Sequence, residues 1–233
     1  MKTLIPTIGS TLTILALAAL PARADIYGDA TGENFTAAGG GILDISSVEV
    51  TRTATDLIFK INLTGDPVAT DWGKYMIGLD TTAGGDPASN GWLRPISMSS
   101  GMDYWIGSWT DAGNGAELRA WNGSSWVLQS ATYNPNPDSL SVSKDTSSVT
   151  LTLKYAGMGL TPTSVFNFDV YTSGGGGGDG AVDALANPVQ SIADWGDPYN
   201  SELQKTFPVP EPTALTLLGL GGLVIQRIYR RRK

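Results

Sequence analysis

Hydrophobic and polar residues alternate with period two in short runs along most of this chain, and between residues 25 and 207 no stretch carries a convincing apolar period of 3.6. Leu57, Phe59, Ile61 and Leu63 share one side of 57–63 and Ile58, Lys60 and Asn62 the other, which predicts a half-buried strand. Residues 42–52 read as the strand before it, with Thr53-Ala54-Thr55-Asp56 as the connection of a first hairpin. Further strands are predicted at 74–80 and 92–98. Residues 102–109 are apolar on both faces, as expected of a central strand covered on both sides. Residues 117–121 and 126–133 flank Asn122-Gly123-Ser124-Ser125, a strong hairpin turn. Val149, Leu151, Leu153 and Tyr155 alternate with polar residues, as do Phe166, Phe168 and Val170. Beyond Tyr171 the pattern breaks into a long loop with five consecutive glycines, expected to pack back through Val182, Leu185, Ile192 and Trp195, before a possible last strand over 201–207. Short strands at this spacing predict an all-β fold, an antiparallel two-sheet β-sandwich.

The two ends follow different rules. The opening MKTLIPTIGSTLTILALAALPARA has Lys2, an apolar run near 12–20 and a small-residue site at Ala22-Arg23-Ala24, which reads as a signal peptide (1–24) cut before Asp25. At the other end, Pro210 and Pro212 hold Glu211 in an extended segment that neither a helix nor a central strand absorbs. An uncharged apolar run, 213–225, follows; as a helix it spans roughly 20 Å, short of a hydrocarbon core of about 30 Å. Arg227, Arg230, Arg231, Arg232 and Lys233 close the chain, and such a basic cluster stays on the cytoplasmic side. The predicted layout is therefore 1–24, a sandwich over 25–207, and a terminal segment over 208–233 with a short transmembrane helix.

Composition narrows the chemistry. The chain has no cysteine and no histidine, so disulfides, Ser-His-Asp triads and histidine-bound metals are excluded. Residues 25–207 hold 21 acidic against 8 basic residues, a net charge of −13, which repels nucleic acid and anionic lipid.

The ordered ending Val209-Pro210-Glu211-Pro212, apolar helix and basic tail resembles the PEP-CTERM sorting signal of Gram-negative bacteria. That resemblance implies recognition and cleavage by an exosortase near Pro210-Glu211-Pro212, a transient stay in the inner membrane, and delivery to the cell surface or exopolysaccharide matrix. An ordinary weak C-terminal anchor is the alternative.

The runs GILDISSVEVTRTATDLIFKINLTGD, KYMIGLDTTAGGD, MDYWIGSW, FNFDVYTSGGGGGDGAVDAL and IADWGDPY resemble DOMON-like, jelly-roll-like sandwiches related to family-nine carbohydrate-binding modules and to the C-terminal module of glucodextranases. This resemblance implies a non-catalytic, sugar-binding module, often with structural calcium.

A sugar site needs an aromatic face and a few polar groups. Trp121 is the first candidate, because Glu117, Arg119 and Trp121 share one side of their strand; Trp126 lies across the hairpin, and a stabilising cross-strand pair of the two indoles is the equal alternative. Trp72 and Trp92, near Arg94, come second, while Trp105 and Trp109 read as core. For Ca²⁺, the candidate ligands are Asp179, Asp183, Asp194 and Asp197 in the irregular segment, with Asp29 and Asp25 at the mature N-terminus; the same acids also suit turn capping. The expected function is an exported, non-enzymatic, carbohydrate-binding surface protein. A structural or adhesion protein without sugar specificity is the second reading, and a carboxylate-dependent glycan hydrolase the third.

Overall fold

The computed structural model describes residues 23–33, 35–189 and 192–208. The predicted signal-peptide residues through Ala22, and the sorting segment from Val209 through Pro210, Glu211 and Pro212 to the apolar helix, lie outside the described residues. Those residues form strands β1 (Arg23–Gly28), β2 (Ile45–Arg52), β3 (Asp56–Leu63), β4 (Lys74–Asp80), β5 (Ile96–Met98), β6 (Tyr104–Trp109) and β7 (Gly115–Trp121), followed by β8 (Trp126–Ala131), β9 (Leu140–Lys144), β10 (Ser148–Lys154), β11 (Phe166–Ser173), β12 (Asp183–Ala184), β13 (Tyr199–Ser201) and β14 (Lys205–Phe207). Among the described residues there is no α-helix, and no helix is long and apolar enough to cross a membrane.

One antiparallel sheet runs β1-β2-β3-β10-β9, and the other runs β12-β11-β4-β6-β7-β8 with β14 also on β11. The alternation in the sequence sets which side chains face inward. Val48, Val50, Leu57, Phe59, Ile61, Val149, Leu151 and Leu153 of the first sheet meet Tyr75, Ile77, Leu79, Ile106, Leu118, Phe168 and Val170 of the second in one buried core. The second sheet is covered on its outer face as well. Met76, Trp105 and Tyr171 are buried there under Ile96, Met98, Met102 and Tyr199, which accounts for the unbroken apolar runs of β4 and β6.

Three expectations shift. The strand predicted at 92–98 shortens to β5, because Leu93 takes φ 56° in a turn where the amides of Trp92 and Arg94 both donate to Asn90 Oδ1. β5 pairs with β13 in parallel, so the described sheets are not antiparallel throughout. β1 begins at Arg23 and pairs Ala24 with Thr51, two residues ahead of the expected cleavage point.

Asp169 of β11 is wholly buried, and burial pushes its carboxyl up to about 7. Hydrogen bonds from the hydroxyl of Ser201 and the amides of Ala186 and Val170 (both 2.8 Å) pull it back only in part, while the Asp29 charge raises it slightly. A folded-state value above that of the free chain stabilises the fold fully below the unfolded pKa, and that contribution is lost as pH rises to about 7. With Ca²⁺ held constant, Asp169→Asn is therefore expected to gain stability relative to wild type by about 1–2 kcal/mol between pH 5 and pH 8. Urea melts at both pH values check this; an unchanged difference would show that Asp169 is ionised in the fold.

Candidate functional site

Two features stand out, at opposite ends of the sandwich. The first is a group of acids. Asp29 follows β1, Glu33 lies in the loop beyond it, Asp44 precedes β2, and Asp183 sits in β12 at the edge of the other sheet. One carboxylate oxygen each from Glu33, Asp44 and Asp183 lies within 4.8 Å of the others. Asp183 joins the sheets: its Oδ2 accepts the Ile45 amide at 2.7 Å and its Oδ1 the Ala184 amide at 2.8 Å. Asp44 accepts the Gly32 amide at 3.1 Å and the Thr64 hydroxyl at 2.9 Å. The Thr64 loop lies tight against it: a Cβ on Gly65 would sit 2.4 Å from the Gly40 carbonyl, so only glycine lets the two loops close around Asp44.

Not every oxygen in this group is satisfied. Asp29 Oδ2 and both carboxylate oxygens of Glu33 are buried without a hydrogen-bond partner. Burial, opposed by the Ala30 amide and aided by the charges of Glu33 and Asp44, raises Asp29 to about 7; Lys205 offsets part of this. Burial, with the charges of Asp29 and Glu33, raises Asp183 to about 8. Glu33, Asp44 and Asp183 thus crowd one another as the ligands of a divalent cation would, with the Asp29 charge felt at Asp183. Buried polar atoms without partners are rare enough to call for such an explanation.

Asp29 and Asp183 come together from the expected set; Asp179, Asp194 and Asp197 lie outside the group. Asp179 Oδ2 accepts the Gly176 amide at 2.8 Å. Asp197 Oδ2 accepts the amides of Ala193 and Asp194, and Asp194 accepts that of Trp195, so both cap their own turn. Glu33 and Asp44 had no signal in the sequence, since their partners come from segments far along the chain.

The second feature is an aromatic and charged strip on the outer face of β7 and β8. Trp121 and Trp126 pair across the hairpin with ring centroids 5.7 Å apart and a tilt of 50°. Trp126 Nε1 donates to Asp86 Oδ2 at 3.0 Å. Beside them opens a cleft of about 380 Å³, lined by Ser89, Leu93, Arg119, Trp121, Ser125 and Trp126, with Leu93 76% exposed at its lip. Arg119 is held by Glu117 at 2.9 Å, and Glu117 also receives Trp92 Nε1 at 3.0 Å and the Tyr133 hydroxyl. Burial alone would raise Glu117, but these hydrogen bonds and the Arg119 charge hold it below its ordinary value. A second open cleft of about 480 Å³ begins at Trp109 and Tyr133.

Trp92, Trp72 and Arg94 do not line the cleft beside Trp121 and Trp126. Trp92 lies flat on Gly107, where a Cβ would meet its indole at 2.3 Å, and sits between Trp105 and Trp109. Trp72 packs on Gly39 and on Trp195. Arg94, a candidate sugar contact, is only 6% exposed. Its guanidinium donates to the Ser173 hydroxyl at 2.7 Å, the Asp179 carbonyl at 3.0 Å and the Gly174 carbonyl at 3.3 Å. It ties down the glycine loop, whose Gly174 leaves no room for a Cβ beside Asp179.

Two antiparallel sheets with an acid group at one end and an aromatic cleft near the other define an all-β body. Residues 208–233 match the PEP-CTERM protein-sorting motif, which marks an exported protein processed by exosortase at the membrane and fits a cell-surface location. No curated protein and no solved structure matches the chain.

Proposed function

We propose that the mature protein is a non-catalytic module that binds polysaccharide on the surface, or in the extracellular matrix, of a Gram-negative bacterium. It reaches that place after loss of 1–24 and of the segment beyond Pro210-Glu211-Pro212. The observation that carries this reading is the open trough of about 380 Å³ that Trp121, Trp126, Arg119, Ser89 and Ser125 line together. Indole faces cover the apolar side of a pyranose ring while the polar groups fix its hydroxyls.

A structural Ca²⁺ held by Asp29, Glu33, Asp44 and Asp183 is part of the same proposal. Ca²⁺ accepts several crowded, irregular oxygens, whereas Mg²⁺ keeps its waters and needs near-octahedral ligands. The orphaned oxygens of Asp29 and Glu33 support it.

Affinity electrophoresis through gels containing neutral and acidic polysaccharides tests the glycan site. Wild type is expected to be retarded in at least one gel. Trp121→Ala should bind about tenfold more weakly, a loss of about 1.4 kcal/mol; it is preferred to Trp126→Ala because Trp126 also holds Asp86. The close tilted contact of the two indoles favours a second reading, a structural or adhesion protein in which they only brace the hairpin. That reading predicts wild-type mobility unchanged by any polysaccharide.

A further inference from the structure

The two ends of the described body leave from a single corner of the sandwich. β1 starts at Arg23, opposite Arg52, the last residue of β2. β14 ends at Phe207, opposite Phe166, the first residue of β11. These strands belong to different sheets, and Arg52 joins them. It is 2% exposed; its guanidinium donates to the Pro208 carbonyl at 2.6 Å and the Pro162 carbonyl at 3.2 Å, lies 3.5 Å from Asp25 Oδ2, and stacks 3.9 Å from the centre of the Phe207 ring. Four residues along β1, the Tyr27 hydroxyl donates to the Thr206 carbonyl at 2.9 Å, a second tie between β1 and β14.

Pro208, held by Arg52, is the first residue of the matched sorting motif. Val209 alone separates it from Pro210, and at about 3.3–3.6 Å per extended residue the Pro-Glu-Pro lies within roughly 15 Å of a fixed point on the folded body. A tether that short leaves the body little freedom to turn.

We propose that the Arg52 corner faces the lipid surface in the membrane-held precursor. The proposal rests on the sorting-signal reading of residues 208–233 and goes beyond it by assigning which end of the body meets the headgroups. The N-terminal segment, while still attached, leaves from the same corner, so both ends demand one orientation. The acid group then points away from the bilayer: Asp183 pairs with Thr172 and Asp29 follows Gly28, which pairs with Ser47, at the far ends of β11 and β1 from Phe166 and Arg23. This keeps four crowded carboxylates clear of anionic lipid, whose repulsion falls off within about 10 Å.

The absence of cysteine allows single-site labelling of the full chain. Thr163→Cys, exposed beside Pro162, marks the proposed corner; Ala69→Cys, exposed beyond the end of β3, marks the opposite end. Each labelled full-length protein is reconstituted in phosphatidylethanolamine–phosphatidylglycerol vesicles carrying a headgroup quencher, after flotation to confirm attachment. Quenching of the Thr163 label is expected to exceed that of the Ala69 label at least threefold, and ten Gly/Ser residues inserted after Pro208 should bring the two together. Equal quenching in the uninterrupted chain, or stronger quenching at residue 69, would overturn the proposal while leaving the sorting signal standing. A full-length chain that does not float with the vesicles would overturn both.

Discussion

In 1 mM Ca²⁺ the mature body is expected to unfold about 5–10 °C higher than in excess EGTA. The size follows from linkage: a ligand a hundredfold above its Kd stabilises by about 2.7 kcal/mol, and each kcal/mol moves the midpoint of a domain this size by about 2–4 °C. The physical source is the end of the sandwich where burial and mutual repulsion raise Asp29 to about 7 and Asp183 to about 8. Asp183→Asn gives a sharper test because its effect depends on the metal. In EGTA it removes one of several buried, repelling carboxyls but leaves a single oxygen to accept from Ile45 or Ala184, so the two effects oppose each other and the variant should lie within about 1 kcal/mol of wild type. In Ca²⁺ it should forfeit most of the metal-dependent gain. A midpoint indifferent to Ca²⁺ in both proteins would mean that the acid group holds no ion.

The next largest effect is expected from Arg94→Ala, which should cost about 3 kcal/mol and thereby lower the midpoint by about 10 °C. The guanidinium carries three hydrogen bonds in a buried setting, and its removal strands the Gly174 carbonyl and leaves that of Asp179 only the Ser173 hydroxyl at 3.3 Å. Arg94→Lys should rescue little, since one ammonium cannot reproduce a planar fork aimed at several acceptors. Limited proteolysis should then cut first within residues 174–178, the glycine run that Arg94 anchors. Wild-type stability in Arg94→Ala would assign the ordering of that run to the approach of Asp179 alone.

Where the sequence was readable, the reason was local. The period-two pattern of 57–63 became β3 with Leu57, Phe59, Ile61 and Leu63 all buried, and 74–80 became β4 without a shift. The apolar Tyr104–Trp109 run marked a doubly covered strand because coverage leaves no polar face. Packing of the long loop through Val182, Ile192 and Trp195 onto Ile42, Leu43 and Trp72 was likewise legible from the few apolar residues it contains. What escaped notice depends on partners distant in sequence. β9 buries only Leu140 fully and partly Val142, so an edge strand of Ser and Lys reads as loop. β1 overlaps residues that also suit a signal-peptide cleavage site. In the acid group, Asp183 reaches Ile45 across 138 residues, a separation no local pattern encodes, and nothing local to Glu33 or Asp44 marks them as its neighbours. The anchoring contacts of Arg94 are hidden for the same reason: its acceptors lie some 80 residues away.

The account stands most directly on the ends of the mature polypeptide. Intact-mass and terminal-peptide measurements on protein recovered from the envelope of its native host should give an N-terminus at Asp25 and a C-terminus near Pro210, with the apolar and basic segment gone. Mature protein that still ends at Lys233 would contradict processing at the sorting motif and leave a permanently anchored body instead.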